Sequence, residues 1–115
     1  MILASPQAVR KEQAMVVIYY DLETTGLNNF RRQRGVQIVS IGAVTEYGAT
    51  FHKYLMPTCE ISDDSTKLHG MYKHKYNGLL FKEGILMDAV EPKSGLSCFM
   101  DWLSSQNVDC LVNIQ

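Results

Sequence analysis

The sequence predicts one mixed α/β domain. Three observations carry this: an unbroken apolar run at residues 14–20, two further β-patterned stretches joined by a tight turn, and a helical apolar stripe that opens after a proline and leads into a last β-rich segment. The chain has 115 residues, enough for a single hydrophobic core.

The first run (AMVVIYY) is β-branched and aromatic, and reads as a central strand buried on both faces and ending at Asp21. Thr24, Thr25 and Gly26 supply turn chemistry behind it. A polar loop with Arg31, Arg32 and Arg34 follows. Residues 36–45 form a second strand, Glu46, Tyr47 and Gly48 a turn, and residues 49–56 a third strand whose His52, Tyr54 and Met56 alternate with Phe51, Lys53 and Leu55. The short turn makes these two an antiparallel hairpin, and the dozen-residue first connection permits a three-stranded meander. Pro57 ends the third strand. Residues 62–69 read as a short helix, with Ser62 as N-cap, Asp63 and Asp64 in its first turn and Gly70 closing it. Residues 71–90 show no clear period. Pro92 suits a helix first turn, and Leu96, Phe99, Met100 and Leu103 then recur at i, i+3, i+4 and i+7 as a core stripe with Trp102 beside it. Residues 108–114 form a last strand, parallel to the first. Residues 1–14 are aperiodic and read as a loose leader, leaving 15–115 as the domain.

Composition excludes several classes. Hydrophobic residues make up 46% and charged residues 20%, which argues against intrinsic disorder. A net charge of −1 excludes a wholly basic nucleic-acid-coating protein but not a local basic patch. The longest apolar run is seven residues, whereas a spanning helix needs about 20. The N-terminal residues do not pattern as a signal peptide. Cys59, Cys98 and Cys110 are odd in number and lack CxxC spacing, so they read as reduced thiols of an intracellular protein, cytoplasmic or nuclear.

The chemistry concentrates at the end of the first strand. Side chains two apart on a strand share a face, so Asp21 and Glu23 point the same way. Two neighbouring carboxylates repel unless a cation lies between them, and hard oxygen ligands favour Mg²⁺ or Mn²⁺. Phosphodiester chemistry commonly uses two such ions; Asp21 suits a bridging carboxylate and Glu23 one that holds a single metal. Arg31, Arg32 and Arg34 sit directly behind as candidate phosphate contacts, with Lys67, Lys73, His74 and Lys75 as weaker ones. His69 reads as a helix-terminal residue bonding the last carbonyls. A phosphatase using an acid-x-acid pair is disfavoured because Glu23 is one methylene too long for its general acid and a meander follows the strand. Aspartic-protease chemistry needs D-T/S-G, which is absent here.

The stretch D-L-E-T-T-G-L at residues 21–27, behind its apolar strand, resembles the first motif of the DnaQ-like, or DEDD, 3′–5′ exonucleases, whose fold is RNase H-like. Q-I-V-S-I-G-A-V at 37–44 is similar to that family's second strand. I-S-D-D-S-T-K-L-H-G at 61–70 is similar to its I-x-x-x-A-x-x-x-H-G segment, with Ser65 at the small position. Phe99 to Leu103 resembles the helix before the second motif, so the likeness runs from about Met15 to Val112. The resemblance implies a sheet order 3-2-1-4, Asp21 and Glu23 as catalytic ligands of two Mg²⁺ or Mn²⁺ ions, Thr24 at the 3′ end and Leu27 against the terminal base of a single-stranded nucleic acid. The family's second motif has an Asp a few residues beyond L-V-A-H-N, and its third reads H-x-x-x-x-D. Here V-D-C-L-V-N-I-Q is not followed by that Asp, and the positions five after His52, His69 and His74 are Pro57, His74 and Leu79. The expectation is therefore the N-terminal part of a metal-dependent exonuclease domain, inactive as this chain. The alternative is a non-catalytic nucleic-acid-binding or scaffold protein on the same fold.

Overall fold

A computed structural model describes residues 15–26 and 35–114; the expected leader, Leu27 and the arginine loop lie outside them. The first strand, β1 (Val17–Thr24), pairs antiparallel with β2 (Ile38–Thr45), and β2 with β3 (Thr50–Leu55), as the meander predicts. The hairpin turn is tight because Thr45 Oγ1 accepts from the N–H groups of Tyr47 and Ala49, and Gly48 takes φ +92°. On its other side β1 pairs parallel with the last strand, Cys110–Asn113, which is β8 below.

Between β3 and that last strand lie six elements. Helix α1 (Asp63–His69) is capped by Ser62, whose side chain accepts from the Ser65 N–H, and closes on Gly70 at φ +79°. The aperiodic region 71–90 is not a loop. It forms β4 (Met71–Lys73), β5 (Leu80–Lys82) and β6 (Ile85–Leu86), an antiparallel three-stranded sheet, and then β7 (Ala89–Val90). Strands of two or three residues are too short to show a period, which is why the sequence does not announce them. Helix α2 (Pro92–Gln106) follows, with Pro92 in its first turn, and then β8 (Cys110–Asn113). The main sheet runs β7-β3-β2-β1-β8. This is the expected 3-2-1-4 order, the mixed α/β arrangement of an RNase H-like exonuclease fold, with β7 added at the edge beside β3.

Three local expectations are corrected. β1 does not end at Asp21; it continues through Glu23 and Thr24, because β2 still offers Ser40 and Ile38 as pairing partners there. Nor is it fully buried on both faces, since only Ile18 of its residues is buried and the rest are half-buried. The stripe on α2 is rotated: Leu103 is buried and Phe99 half-buried, but Leu96 and Met100 are exposed. The helix instead turns Gly95, Phe99, Trp102 and Leu103 inward. The reason is steric. A Cβ at Gly95 would lie 2.0 Å from Leu55 Cδ2, so the helix approaches β3 through its one residue without a side chain. Phe51 then meets Phe99 at 5.2 Å and Trp102 at 5.6 Å between ring centroids.

The sheet carries a core on each side. One joins Ile18, Ala43 and Leu103, with Tyr20, Phe51, Phe99 and Trp102 against them. The other joins Val39, Met71 and Leu80, with Tyr54, Ile61 and Met87. Val39 is the extra residue of a bulge, since Glu23 faces Ser40 while Thr24 faces Ile38. Full burial of Ile18, Val39, Ile41, Leu55, Met71 and Leu80 contributes about 1.5–3 kcal/mol each.

Gly95→Ala is expected to destabilise the chain by about 1–3 kcal/mol in urea unfolding, because overpacking against Leu55 outweighs the gain of about 1 kcal/mol in helix propensity. A neutral or stabilising result would mean that α2 can slide off β3 at no cost.

Candidate active site

Asp21 and Glu23 share a face of β1, about 6.7 Å apart between Cα atoms on strand geometry. It is the face opposite Ile18 and Tyr20, which pack under α2. The pairing fixes two rungs across this face. In one, Asp21 lies opposite Gly42 and Gly42 opposite His52; in the other, Glu23 lies opposite Ser40 and Ser40 opposite Tyr54. Gly42 has no side chain, so the sheet is open between Asp21 and His52. Asp21 Oδ1 is buried and has no hydrogen-bond partner. A buried carboxylate oxygen without a partner carries a desolvation penalty of about 1–3 kcal/mol or more. A cation would offset it, and the donor set, two hard carboxylates on one face, suits a divalent one. Among the described residues no group of three or more His, Cys, Asp or Glu converges to hold a metal.

The corner behind the pair is tightly built. Thr25 N–H donates to the Gln37 carbonyl at 2.8 Å, and Gln37 N–H to Thr25 Oγ1 at 3.1 Å. The Thr25 carbonyl accepts from Ser62 N–H at 2.8 Å, which ties the start of α1 to the end of β1. Thr24 Oγ1 accepts from Gly26 N–H at 3.3 Å. A Cβ at Gly26, whose φ is +123°, would lie 2.4 Å from Ser62 Oγ and 2.9 Å from Ser65 Oγ. This explains why small residues are needed at positions 26 and 65: the helix and the strand end touch there.

His69 holds the other end of α1. Its Nδ1 accepts from Met71 N–H at 3.0 Å, so the proton sits on Nε2, which donates to the Thr24 carbonyl at 2.9 Å. The residue thus bonds a strand carbonyl as well as the chain just beyond its own helix. His69→Ala removes both bonds and is expected to cost about 1–3 kcal/mol, read as a lower urea midpoint at unchanged m-value.

Ser40, His52 and Tyr54 carry no motif in the sequence. Ser40 Oγ and His52 Nε2 are 2.9 Å apart, and the His52 ring sits 4.5 Å from that of Tyr54. Partial burial, and secondarily the Lys82 ammonium, hold His52 below its ordinary pKa. The alternation in β3 puts 52 and 54 on one face; only the register shows that this is the face of Asp21 and Glu23. Thr24 stands at the strand end next to them, while Leu27, Arg31, Arg32 and Arg34 lie outside the described residues.

No helix among the described residues is long and apolar enough to cross a membrane. No curated protein matches the chain. A family model described as exonuclease, of the RNase T type, matches residues 18–89, which run from the second residue of β1 to the first residue of β7 and include Asp21, Glu23 and the whole Thr24–Thr25–Gly26 corner. With that match and the fold in agreement, the chain belongs to the exonuclease family.

Proposed function

We propose that residues 15–115 carry the metal-binding front of a 3′–5′ exonuclease domain that acts on the 3′ end of a single-stranded nucleic acid. The observation that carries this is the buried, unpartnered Oδ1 of Asp21 on the same face of the central strand as Glu23. Asp21 and Glu23 would hold Mg²⁺ or Mn²⁺, which when bound supplies Lewis-acid stabilisation of the scissile phosphate and an activated water. The chain's own contributions are positional. Thr24, fixed through its carbonyl by His69, presents its hydroxyl and backbone to a terminal 3′-hydroxyl. Leu27 packs on the terminal base, and Arg31, Arg32 and Arg34 neutralise phosphates. The free thiols of Cys59, Cys98 and Cys110 support a reducing, intracellular setting, cytoplasmic or nuclear.

Two carboxylates leave most of an octahedral shell to water, so this 115-residue chain by itself binds metal weakly and does not cleave. The lack of a third converging ligand among the described residues favours, as a second reading, a nucleic-acid-binding module built on the same fold. The test is a 5′-labelled single strand, DNA or RNA, incubated with the chain and Mn²⁺. The expected result is an intact oligonucleotide. A ladder of shortened products that disappears in Asp21→Asn would overturn the claim of inactivity, whereas a chain that does not respond to Mn²⁺ at all would favour the second reading.

A further inference from the structure

The charge of this chain is unevenly placed. The whole carries −1, yet residues 67–82 hold Lys67, Lys73, Lys75 and Lys82 and no Asp or Glu. The same stretch holds Tyr72, His74, Tyr76 and Phe81, and it folds into α1's last turn and the β4 and β5 strands of the small sheet. That sheet has two unlike faces. Met71 and Leu80 are buried in the core with Val39. Tyr72 and Phe81 stand directly opposite each other on the other face, with ring centroids 6.0 Å apart and planes 22° from parallel.

The aromatic row continues from there. His74 lies 5.0 Å from Phe81 and 5.8 Å from Tyr76, and Tyr76 is 84% exposed with Lys75 Nζ 5.7 Å above its ring. The next acid along the chain, Glu83, sits with its side chain against Gly70. Linked π-faces with the Lys75 ammonium beside them match the chemistry of a single-stranded polynucleotide, which offers flat bases and a row of phosphates, while Lys73 and Lys82 stand opposite Leu80 and Met71 on the other face. An acidic peptide would use the charges and leave the rings unexplained.

The row also begins at the candidate site. His69, which donates to the Thr24 carbonyl, lies two residues before β4 begins. The charge of Lys82 reaches His52, in Asp21's own rung. We propose that the β4–β6 arm is a track for single-stranded nucleic acid, stacking bases on Tyr72, His74, Tyr76 and Phe81 and neutralising phosphate with Lys75 beside Tyr76. The direction of the strand, with its 3′ end at Asp21 and Glu23 and upstream nucleotides on the arm, rests on the exonuclease reading.

The test is fluorescence anisotropy of labelled 20-nucleotide oligo-dT and oligo-rU with the 115-residue chain, in EDTA so that no metal takes part. Both single strands are expected to bind more tightly than a duplex of equal length. Tyr76→Ala, at an exposed ring, should weaken binding about tenfold. Lys75→Gln should flatten the salt dependence by about 0.7, the slope of one phosphate contact on a single strand. Lys93→Gln, on α2, should change neither. Circular dichroism confirms that each variant is folded. Preference for duplex, or folded Tyr76→Ala and Lys75→Gln variants that bind like the parent, would overturn the proposal. Strand binding that these variants weaken, without any response of the chain to Mn²⁺, would support the track and remove the exonuclease reading instead.

Discussion

Millimolar Mn²⁺ is expected to raise the melting temperature of the chain, and Asp21→Asn/Glu23→Gln to abolish that rise. The pair shares one strand face, and Asp21 brings a buried oxygen that no protein donor satisfies. A cation that binds only the folded state stabilises it by mass action, by about 1.4 kcal/mol at tenfold excess over Kd. For a domain of this size that corresponds to a shift of about 5–8 °C. The double variant keeps the shapes and removes both charges. Without metal it should melt no lower than the parent, because the mutual repulsion and the unpaired buried charge go together. An equal Mn²⁺ shift in both proteins would place the metal elsewhere. A double variant much less stable without metal would mean that the carboxylates hold the fold rather than an ion.

Gly26→Ala should lower stability by about 2–4 kcal/mol and weaken the Mn²⁺ response together with it. Two penalties add. The backbone at φ +123° strains any residue with a Cβ, at about 1–2 kcal/mol, and the new methyl would lie 2.4 Å from Ser62 Oγ. Relief requires α1 to withdraw from the strand end, which breaks the bond from Ser62 N–H to the Thr25 carbonyl. Because Thr24 and Glu23 precede that corner directly, the carboxylate pair should lose its preorganisation too. Ser62→Ala, which removes the closest clashing atom, should recover part of the loss when combined with Gly26→Ala and cost about 1 kcal/mol alone as a lost cap. Absence of any such recovery would locate the cost in the backbone alone.

The limits of sequence reading lie in particular residues. The meander was legible because each strand has its own period and the Glu46-Tyr47-Gly48 turn its own chemistry. The caps of α1 were legible because Ser62 and Gly70 act within a few residues of themselves. The face of α2 was not: its stripe of Leu96, Phe99, Met100 and Leu103 has the right period and the wrong phase. The phase is set by the close approach of Gly95 to Leu55, a contact between residues forty positions apart. The small sheet was invisible because its strands, held by pairing with one another, are shorter than any period.

At the site the division is the same. That Asp21 and Glu23 share a face follows from the strand itself, since alternation is a local property of extended backbone. That Gly42, His52, Ser40 and Tyr54 lie on that face depends on register, which β1 and β2 acquire only by pairing. That His69 bonds Thr24 rather than only its own helix end depends on where α1 docks. The sequence alone determined the elements and the carboxylate pair, because those are decided by neighbours along the chain. Only the tertiary structure decided which aromatic and basic groups surround the pair, because burial and register act between strands that the chain brings together from far apart.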